Sequence, residues 1–231
     1  MFIVGQVVLI ASALVGFFLG VYIFIGGSLS RRSIAFSIAM IMTTLWALFL
    51  ATFLGESDEG QLVFHATIYY IVTLPMAWGI FITGLGFTRV TDKQFQHLAY
   101  LSVIPAVILG LCIGINQHFL FTGWGVVDEH NTMFLNLTGY IIFVIACTGY
   151  TLASVVTYLT AQKQARSNTG KRLMGNMLVG CVVAVVTASI FNLWLPLAGN
   201  YELIWAGPIS IIIFAVFSYT AIVRFGSDEI L

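Results

Sequence analysis

The chain has 231 residues, of which 60% are hydrophobic and only 8% are charged, and its mean hydropathy is +1.02. Soluble domains carry about 25% charged residues, so this composition excludes a water-soluble globular domain. The formal net charge is zero, which gives no basis for a nucleic-acid partner. The lipid bilayer must act as the solvent, and continuous apolar runs favour membrane helices over barrel strands.

Seven apolar segments follow one another along the chain. They cover residues 2–26, 34–54, 66–87, 98–117, 134–160, 173–195 and 203–223. Each is about 20 residues or longer, enough to cross a hydrocarbon core of about 30 Å. The sequence therefore predicts an all-α polytopic membrane protein, a seven-transmembrane-helix bundle over 1–224 with a short cytoplasmic tail at 225–231. No basic residue precedes the first segment, so we interpret it as a membrane helix and not as a cleavable signal peptide.

The charged residues divide between alternate connections. All 9 basic residues lie after the first, third, fifth and seventh segments, at Arg31, Arg32, Arg89, Lys93, Lys163, Arg166, Lys171, Arg172 and Arg224. In the connections after the second, fourth and sixth segments, every Asp, Glu, Lys or Arg is acidic. These residues are Glu56, Asp58, Glu59, Asp128, Glu129 and Glu202. Short loops rich in Lys and Arg face the cytoplasm. We therefore predict an N-terminus outside and a C-terminus inside, in a multi-pass protein of the cell membrane.

Several chemistries find no support in the sequence. Asp, Glu, Lys and Arg are absent from the interiors of the segments. This argues against ion pumps, proton-coupled transporters and voltage sensors. The last segment contains no lysine for a retinal Schiff base. The histidines flank the segments and the three cysteines are far apart, so we predict no metal site and no cofactor. No catalytic motif occurs, and we expect no enzyme activity within these residues.

Polar and aromatic residues collect in the predicted outer helix halves. They are Trp46, Tyr69, Tyr70, Asn116, Asn136, Tyr140, Asn192 and Trp205. Two interpretations of this set are open. The residues could form an aromatic belt at the membrane interface, or they could line a pocket for a small or lipophilic ligand. Trp46 and Asn192 are the better pocket candidates because they lie furthest inside their segments. The loop 118–133 is long enough to form a lid over this side.

Prolines and paired glycines suggest where helices bend and pack. Pro75, Pro105 and Pro208 interrupt backbone hydrogen bonding and predict kinks, either as fixed shape or as hinges. The GxxxG patterns at 16–20 and 110–114 allow close helix approach. We interpret them as helix-packing sites within the bundle. The alternative is that they form the interface of a homodimer.

The order of these landmarks resembles the N-terminal seven-transmembrane sensor region of bacterial histidine kinases. The resemblance rests on the arginine pair at 31–32, Leu45-Trp46-Ala47, Tyr69-Tyr70 followed by Pro75, Ile104-Pro105, the basic loop at 163–172, Gly207-Pro208 and the exit at 219–224. It implies a bacterial inner-membrane sensor whose last helix leads to a cytoplasmic output domain. The residues present hold no kinase motif, which leaves open a sensor fragment or a stand-alone relative that signals through a partner protein.

The leading hypothesis is a membrane sensor that binds a small or lipophilic ligand between its outer helix halves. One alternative is a structural or accessory membrane subunit that packs against a partner protein. A second is a transporter of a neutral solute.

Overall fold

The computed structural model describes residues 2–26, 30–127 and 130–224, which are mostly helical. The elements are α1 (Phe2–Gly26), α2 (Arg31–Gly55), α3 (Glu59–Leu85), α4 (Asp92–Ile115), β1 (Phe121–Val127), β2 (His130–Leu135), α5 (Leu137–Gln164), α6 (Asn168–Ser189) and α7 (Ala206–Arg224). α6 continues through a π-helical turn, Ile190–Trp194, and a final α-helical turn, Leu195–Leu197. The predicted tail at 225–231 lies outside the described residues.

Six of the described helices, α1 to α6, are long and apolar enough to cross a membrane. The seventh predicted segment also forms a helix, but the stretch that could be assessed, Ala206–Tyr219, is shorter than a full span. A helical multi-pass membrane protein is thus confirmed, while the seventh span and the orientation of the bundle stay predictions.

Polar caps mark the starts of four helices outside the apolar segments. The Ser30, Asp58 and Ser167 side chains accept hydrogen bonds from the backbone N–H three residues later, at the starts of α2, α3 and α6. Thr91 and Gln94 form a capping box at the start of α4. Such caps satisfy backbone donors that the first turn leaves unpaired, so the helices extend into polar sequence that hydropathy alone does not assign to them.

A β-hairpin in the connection between α4 and α5 is the exception to the predicted all-α fold. β1 and β2 are antiparallel, with Trp124 opposite Met133 and Val126 opposite Asn131. β-branched and aromatic residues suit strands, and the burial of Phe121 and Met133 gives the hairpin an apolar side to pack. The fold is mostly helical, as predicted, but residues 121–127 and 130–135 form strands, and α5 begins at Leu137 rather than at residue 134.

Six helices form a ring, and α4 lies outside it. Going round the ring, the order is α1, α2, α3, α5, α6 and α7, with α7 in contact with α1. α4 packs mainly along α3, and most of its apolar side chains, such as Leu101 and Ile108, are exposed to the surroundings of the bundle.

Both GxxxG patterns pack within the bundle. A Cβ at Gly16 would lie 3.0 Å from Thr44 Oγ1, and one at Gly20 would lie 3.1 Å from the Met40 Cβ, so both glycines bring α1 close to α2. Gly110 and Gly114 of α4 face Ile71 of α3. A homodimer stays a prediction, and these glycines are already used for packing inside the chain.

The two ends of the ring differ in chemistry. At the basic end, Arg31 forms a salt bridge of 2.8 Å with Asp92, and Arg31 and Arg32 lie over the rings of Phe95 and Phe87. At the hairpin end, the Asn131 amide donates to the carbonyl oxygens of Phe53 and Glu56 at 2.8 Å each. The hairpin is thus fastened to the end of α2.

Candidate ligand cavity

A cavity of about 50 Å³ lies inside the ring, between α2, α3, α5, α6 and α7. A buried water needs roughly 10–15 Å³ of such space, so the cavity can accept a group of a few atoms. Apolar side chains make most of its wall, among them Met76, Ile80 and Phe214. Trp46 and Asn192 also belong to this wall.

Trp46 belongs to α2, which contacts α1, α3 and α7. Its side chain is only 1% exposed, and its indole Nε1 has no hydrogen-bond partner among the described residues. An indole N–H can only donate. The wall of the cavity therefore includes a residue whose donor is buried and has no partner in the described part of the chain.

Asn192 lies in the π-helical turn of α6. In a regular α-helix the ring of Pro196 would clash with the Asn192 carbonyl, and the wider turn, closed by Leu195 N–H donating to Ile190 O, relieves this. Asn192 is 5% exposed, and neither its Nδ2 nor its Oδ1 has a partner in the described part of the chain. Asn192 is thus a residue of the cavity wall whose amide is buried and unpartnered among the described residues.

Gly207 of α7 packs directly against the Asn192 amide. A Cβ at position 207 would lie 1.5 Å from Asn192 Nδ2, so a glycine is needed for this close approach. The contact joins the π-helical turn to the first turn of α7.

Tyr140 of α5 supports the π-helical turn from the opposite side. Its hydroxyl donates to Leu193 O at 2.9 Å and to Asn192 O at 3.3 Å. Proline has no N–H, so the Asn192 carbonyl lacks its usual α-helical donor from residue 196. Tyr140 supplies that missing hydrogen bond and thereby positions the backbone of Asn192.

Tyr69 and Tyr70 lie between this turn and the hairpin. Their rings are 4.2 Å apart, and Tyr70 contacts the rings of Phe121 and Phe143 at 5.4 and 5.2 Å. The two hydroxyls lie close to each other and to those of Tyr140 and Tyr201. Nevertheless, neither Tyr69 nor Tyr70 makes a hydrogen bond of acceptable geometry within the described residues.

The remaining predicted ligand residues lie at the hairpin end, away from the cavity. Asn116 ends α4 and accepts a hydrogen bond from His118 N. Asn136 precedes α5 and donates to His118 O at 2.9 Å. Trp205 is half-buried and packs on Gly5 of α1. The structure thus brings Trp46 and Asn192 together, places Tyr69, Tyr70 and Tyr140 beside them, and separates Asn116, Asn136 and Trp205.

A family model described as the N-terminal 7TM region of histidine kinase matches residues 8–231, nearly the whole chain. The chain belongs to this family. The resemblance predicted from the sequence is therefore confirmed, and the chain is a histidine kinase sensor region rather than a catalytic kinase domain. No curated protein and no solved structure gives a significant match.

The small polar residues of the cavity in this sensor region were not predicted from the sequence. Cys147, Thr151 and Ser154 line it from α5. Their spacing of four and three residues places them on one helix face, which is a signal that could have found them. The Thr151 and Ser154 hydroxyls donate to their own helix backbone at 2.9 and 2.8 Å, so they can act toward a ligand only as acceptors.

The three predicted kink prolines of the sensor region lie outside the cavity wall. Pro75 and Pro105 line separate apolar grooves on the two sides of α4. Near Pro105, the Tyr150 hydroxyl donates to Ser102 O, which gives α4 a contact with α5. Pro208 lies in the first turn of α7, where a missing N–H removes no helical hydrogen bond. A hinge role for any of the three stays a prediction.

Proposed function

We propose that this sensor region binds a small, largely apolar ligand in the central cavity. The observation that carries the proposal is a buried, mostly apolar cavity inside the ring, with Trp46 and Asn192 in its wall. The polar atoms of both side chains are buried and have no partner among the described residues. Leaving a buried donor or acceptor unsatisfied costs about 1–3 kcal/mol. A ligand that reaches hydrogen-bonding distance of either side chain would recover part of that free energy.

The proposal includes a route from the ligand to the rest of the chain. A ligand that hydrogen-bonds to Asn192 acts on the π-helical turn of α6. Because Gly207 packs on the Asn192 amide, the same event acts on the start of α7, which runs to the basic end. By analogy with the family, an output domain or a partner protein would receive the signal there.

The orientation belongs to the proposal as well. The basic residues Arg31, Lys93 and Arg166 lie at one end, and Glu59 and Glu202 lie at the other. Under the positive-inside rule the basic end faces the cytoplasm and the hairpin faces outward. In a bacterial inner membrane, the hairpin end would then face the periplasm.

A ligand screen tests the binding proposal. Purified protein is screened by thermal unfolding against lipophilic small molecules, and the best hit is titrated against wild type and Asn192→Leu. We expect the substitution to weaken binding by about 1–3 kcal/mol, because it removes one buried polar contact, while the protein still folds.

Asn176→Leu is the matched control. Asn176 is an exposed residue of the same helix, α6, and does not line the cavity, so this variant should bind like wild type. Equal affinity of Asn192→Leu and wild type, or no hit from a broad screen, would favour the accessory-subunit alternative. Passage of the hit across liposome membranes would favour the transporter.

A further inference from the structure

Glu56 and His65 face each other at the hairpin end of the bundle, where α2 ends and α3 begins. The distance from His65 Nδ1 to Glu56 Oε2 is 3.9 Å, which is too long for a hydrogen bond. Only 15% of the His65 side chain and 24% of the Glu56 side chain are exposed. His65 Nδ1 is buried and has no hydrogen-bond partner among the described residues. The pair does not belong to the wall of the central cavity.

Two aromatic rings flank the imidazole of His65. The Phe49 ring of α2 lies 6.0 Å from it, between ring centroids, and the Phe64 ring of α3 lies 5.6 Å from it. These rings supply no hydrogen-bonding atom that could satisfy Nδ1. The imidazole is thus held between apolar surfaces with one carboxylate in front of its Nδ1.

The other titratable groups of the neighbouring elements are few. Asp58 and Glu59 at the start of α3 are exposed, and the Asp58 side chain is occupied as the N-cap of that helix. Between residue 33 and its end, α2 contains no Asp, Glu, Lys, Arg or His. The two strands contribute one titratable residue, His130. Glu56 is therefore the carboxylate that faces His65.

The charge on His65 decides what this contact can do. Histidine is the side chain whose charge ordinarily changes between pH 5 and 8. The Glu56 carboxylate stays ionised over this range, because hydrogen bonds from the backbone N–H groups of Asp58 and Ser57 lower its pKa. A protonated imidazole donates from both nitrogens, so Nδ1–H would bond to the carboxylate after an approach of about 1 Å. A neutral imidazole offers no such charge-assisted bond.

Glu56 also holds the hairpin. Its backbone carbonyl accepts from the Asn131 amide at 2.8 Å, as does the carbonyl of Phe53. Its carboxylate Oε1 accepts from the backbone of Ser57 and Asp58 at 2.8 and 3.0 Å, which leaves Oε2 for His65. An ion pair at Oε2 would therefore restrain the same residue on which the hairpin rests.

We propose that Glu56 and His65 form a pH-dependent contact that fastens the hairpin to the helix bundle. Protonation of His65 closes an ion pair across the α2–α3 turn, and the hairpin then opens less easily. As the pH rises, His65 loses its proton, the ion pair is lost, and the hairpin opens more easily. The sensor region thereby responds to acidity at its hairpin end, independently of any ligand in the central cavity.

Amide hydrogen exchange of β1 and β2 tests the proposal. The full chain in lipid nanodiscs is measured at about pH 5.5 and about pH 7.5, on either side of the usual histidine titration. Wild type is compared with His65→Gln at the same pH, so the intrinsic pH dependence of exchange cancels. We expect the ratio of the His65→Gln rate to the wild-type rate to be about threefold larger at the lower pH, the scale of a partly exposed ion pair.

Three further variants locate the effect. Glu56→Gln keeps an oxygen for the backbone of the turn but removes the charge, so it should abolish the same pH dependence. The double variant with His65→Gln should behave like either single variant. His118→Gln replaces an exposed histidine at the same end, and His130→Gln replaces the histidine of β2. Both should retain the pH dependence of wild type.

Several outcomes would overturn the proposal. A rate ratio that does not change with pH would do so, and so would an undiminished pH dependence in Glu56→Gln. Loss of the dependence in His118→Gln or His130→Gln would assign it to another histidine. If His65→Gln does not fold, the comparison of Glu56→Gln with wild type gives the same reading, and an equal response to pH in these two proteins rejects the contact. None of these results depends on whether the cavity binds a ligand.

Discussion

At the scale of single residues, Tyr140 and Tyr70 are equally buried but differ in their hydrogen bonding. Both side chains are almost fully buried, and their rings lie 6.1 Å apart. The Tyr140 hydroxyl donates to two carbonyls of the π-helical turn. The Tyr70 hydroxyl lies near those of Tyr69 and Tyr140 but makes no hydrogen bond of acceptable geometry within the described residues. A satisfied buried hydroxyl stabilises the fold, and an unsatisfied one destabilises it.

Removing each hydroxyl separately should therefore have opposite effects. We expect Tyr140→Phe to lower the free energy of unfolding by about 1–2 kcal/mol, because it leaves the Asn192 carbonyl without a donor. Tyr70→Phe should be neutral or stabilising. Unfolding in lipid or mild detergent measures both, with Tyr100→Phe as the control because Tyr100 is 72% exposed. A clear loss of stability in Tyr70→Phe would reveal a bound water or another partner at that hydroxyl.

At the scale of elements, the hairpin depends on a few side chains for its position. The Asn131 amide donates to Phe53 O and Glu56 O at the end of α2, and the Tyr201 hydroxyl donates to Met133 O at 2.8 Å. The Glu56 carboxylate accepts hydrogen bonds from the backbone N–H groups of Asp58 and Ser57, which lower its pKa and order the α2–α3 turn. The hairpin thus packs on a turn that is itself well ordered.

Asn131→Leu should loosen the hairpin without unfolding the helices. It removes the donor of two buried hydrogen bonds, so local opening should become easier by about 1–3 kcal/mol. Amide hydrogen exchange in β1 and β2 should then accelerate, while exchange in the middle of α2 and α3 stays slow. The control is Thr122→Val, which removes one exposed bond between the strands and leaves the contact with α2 intact. Unchanged exchange in Asn131→Leu would contradict this account of how the hairpin is held.

At the scale of the whole molecule, the helices could be predicted because each carries its signal in its own composition. Trp46 and Asn192 could be proposed for the same reason, since they are polar or bulky residues deep inside apolar segments. Asn116 and Asn136 have similar sequence surroundings, but they bond to the loop backbone, and only tertiary structure separates that role from ligand binding. The hairpin was missed because Phe134 and Leu135 are apolar and extend the following helix in a hydropathy count.

The orientation of the whole bundle is tested by the accessibility of its two ends. In a background without Cys112, Cys147 and Cys181, single cysteines are placed at Glu59, Glu202, Lys93 and Arg166, which are all exposed. We expect an impermeant thiol reagent added to intact bacterial spheroplasts to label positions 59 and 202, because acidic connections lie outside under the positive-inside rule. Positions 93 and 166 should react only after the cells are permeabilised, which also proves that their thiols are accessible. The reverse pattern would contradict the orientation. The seven-helix arrangement places three membrane crossings between positions 59 and 166. Labelling of both positions in intact spheroplasts would require an even number of crossings and would contradict this arrangement.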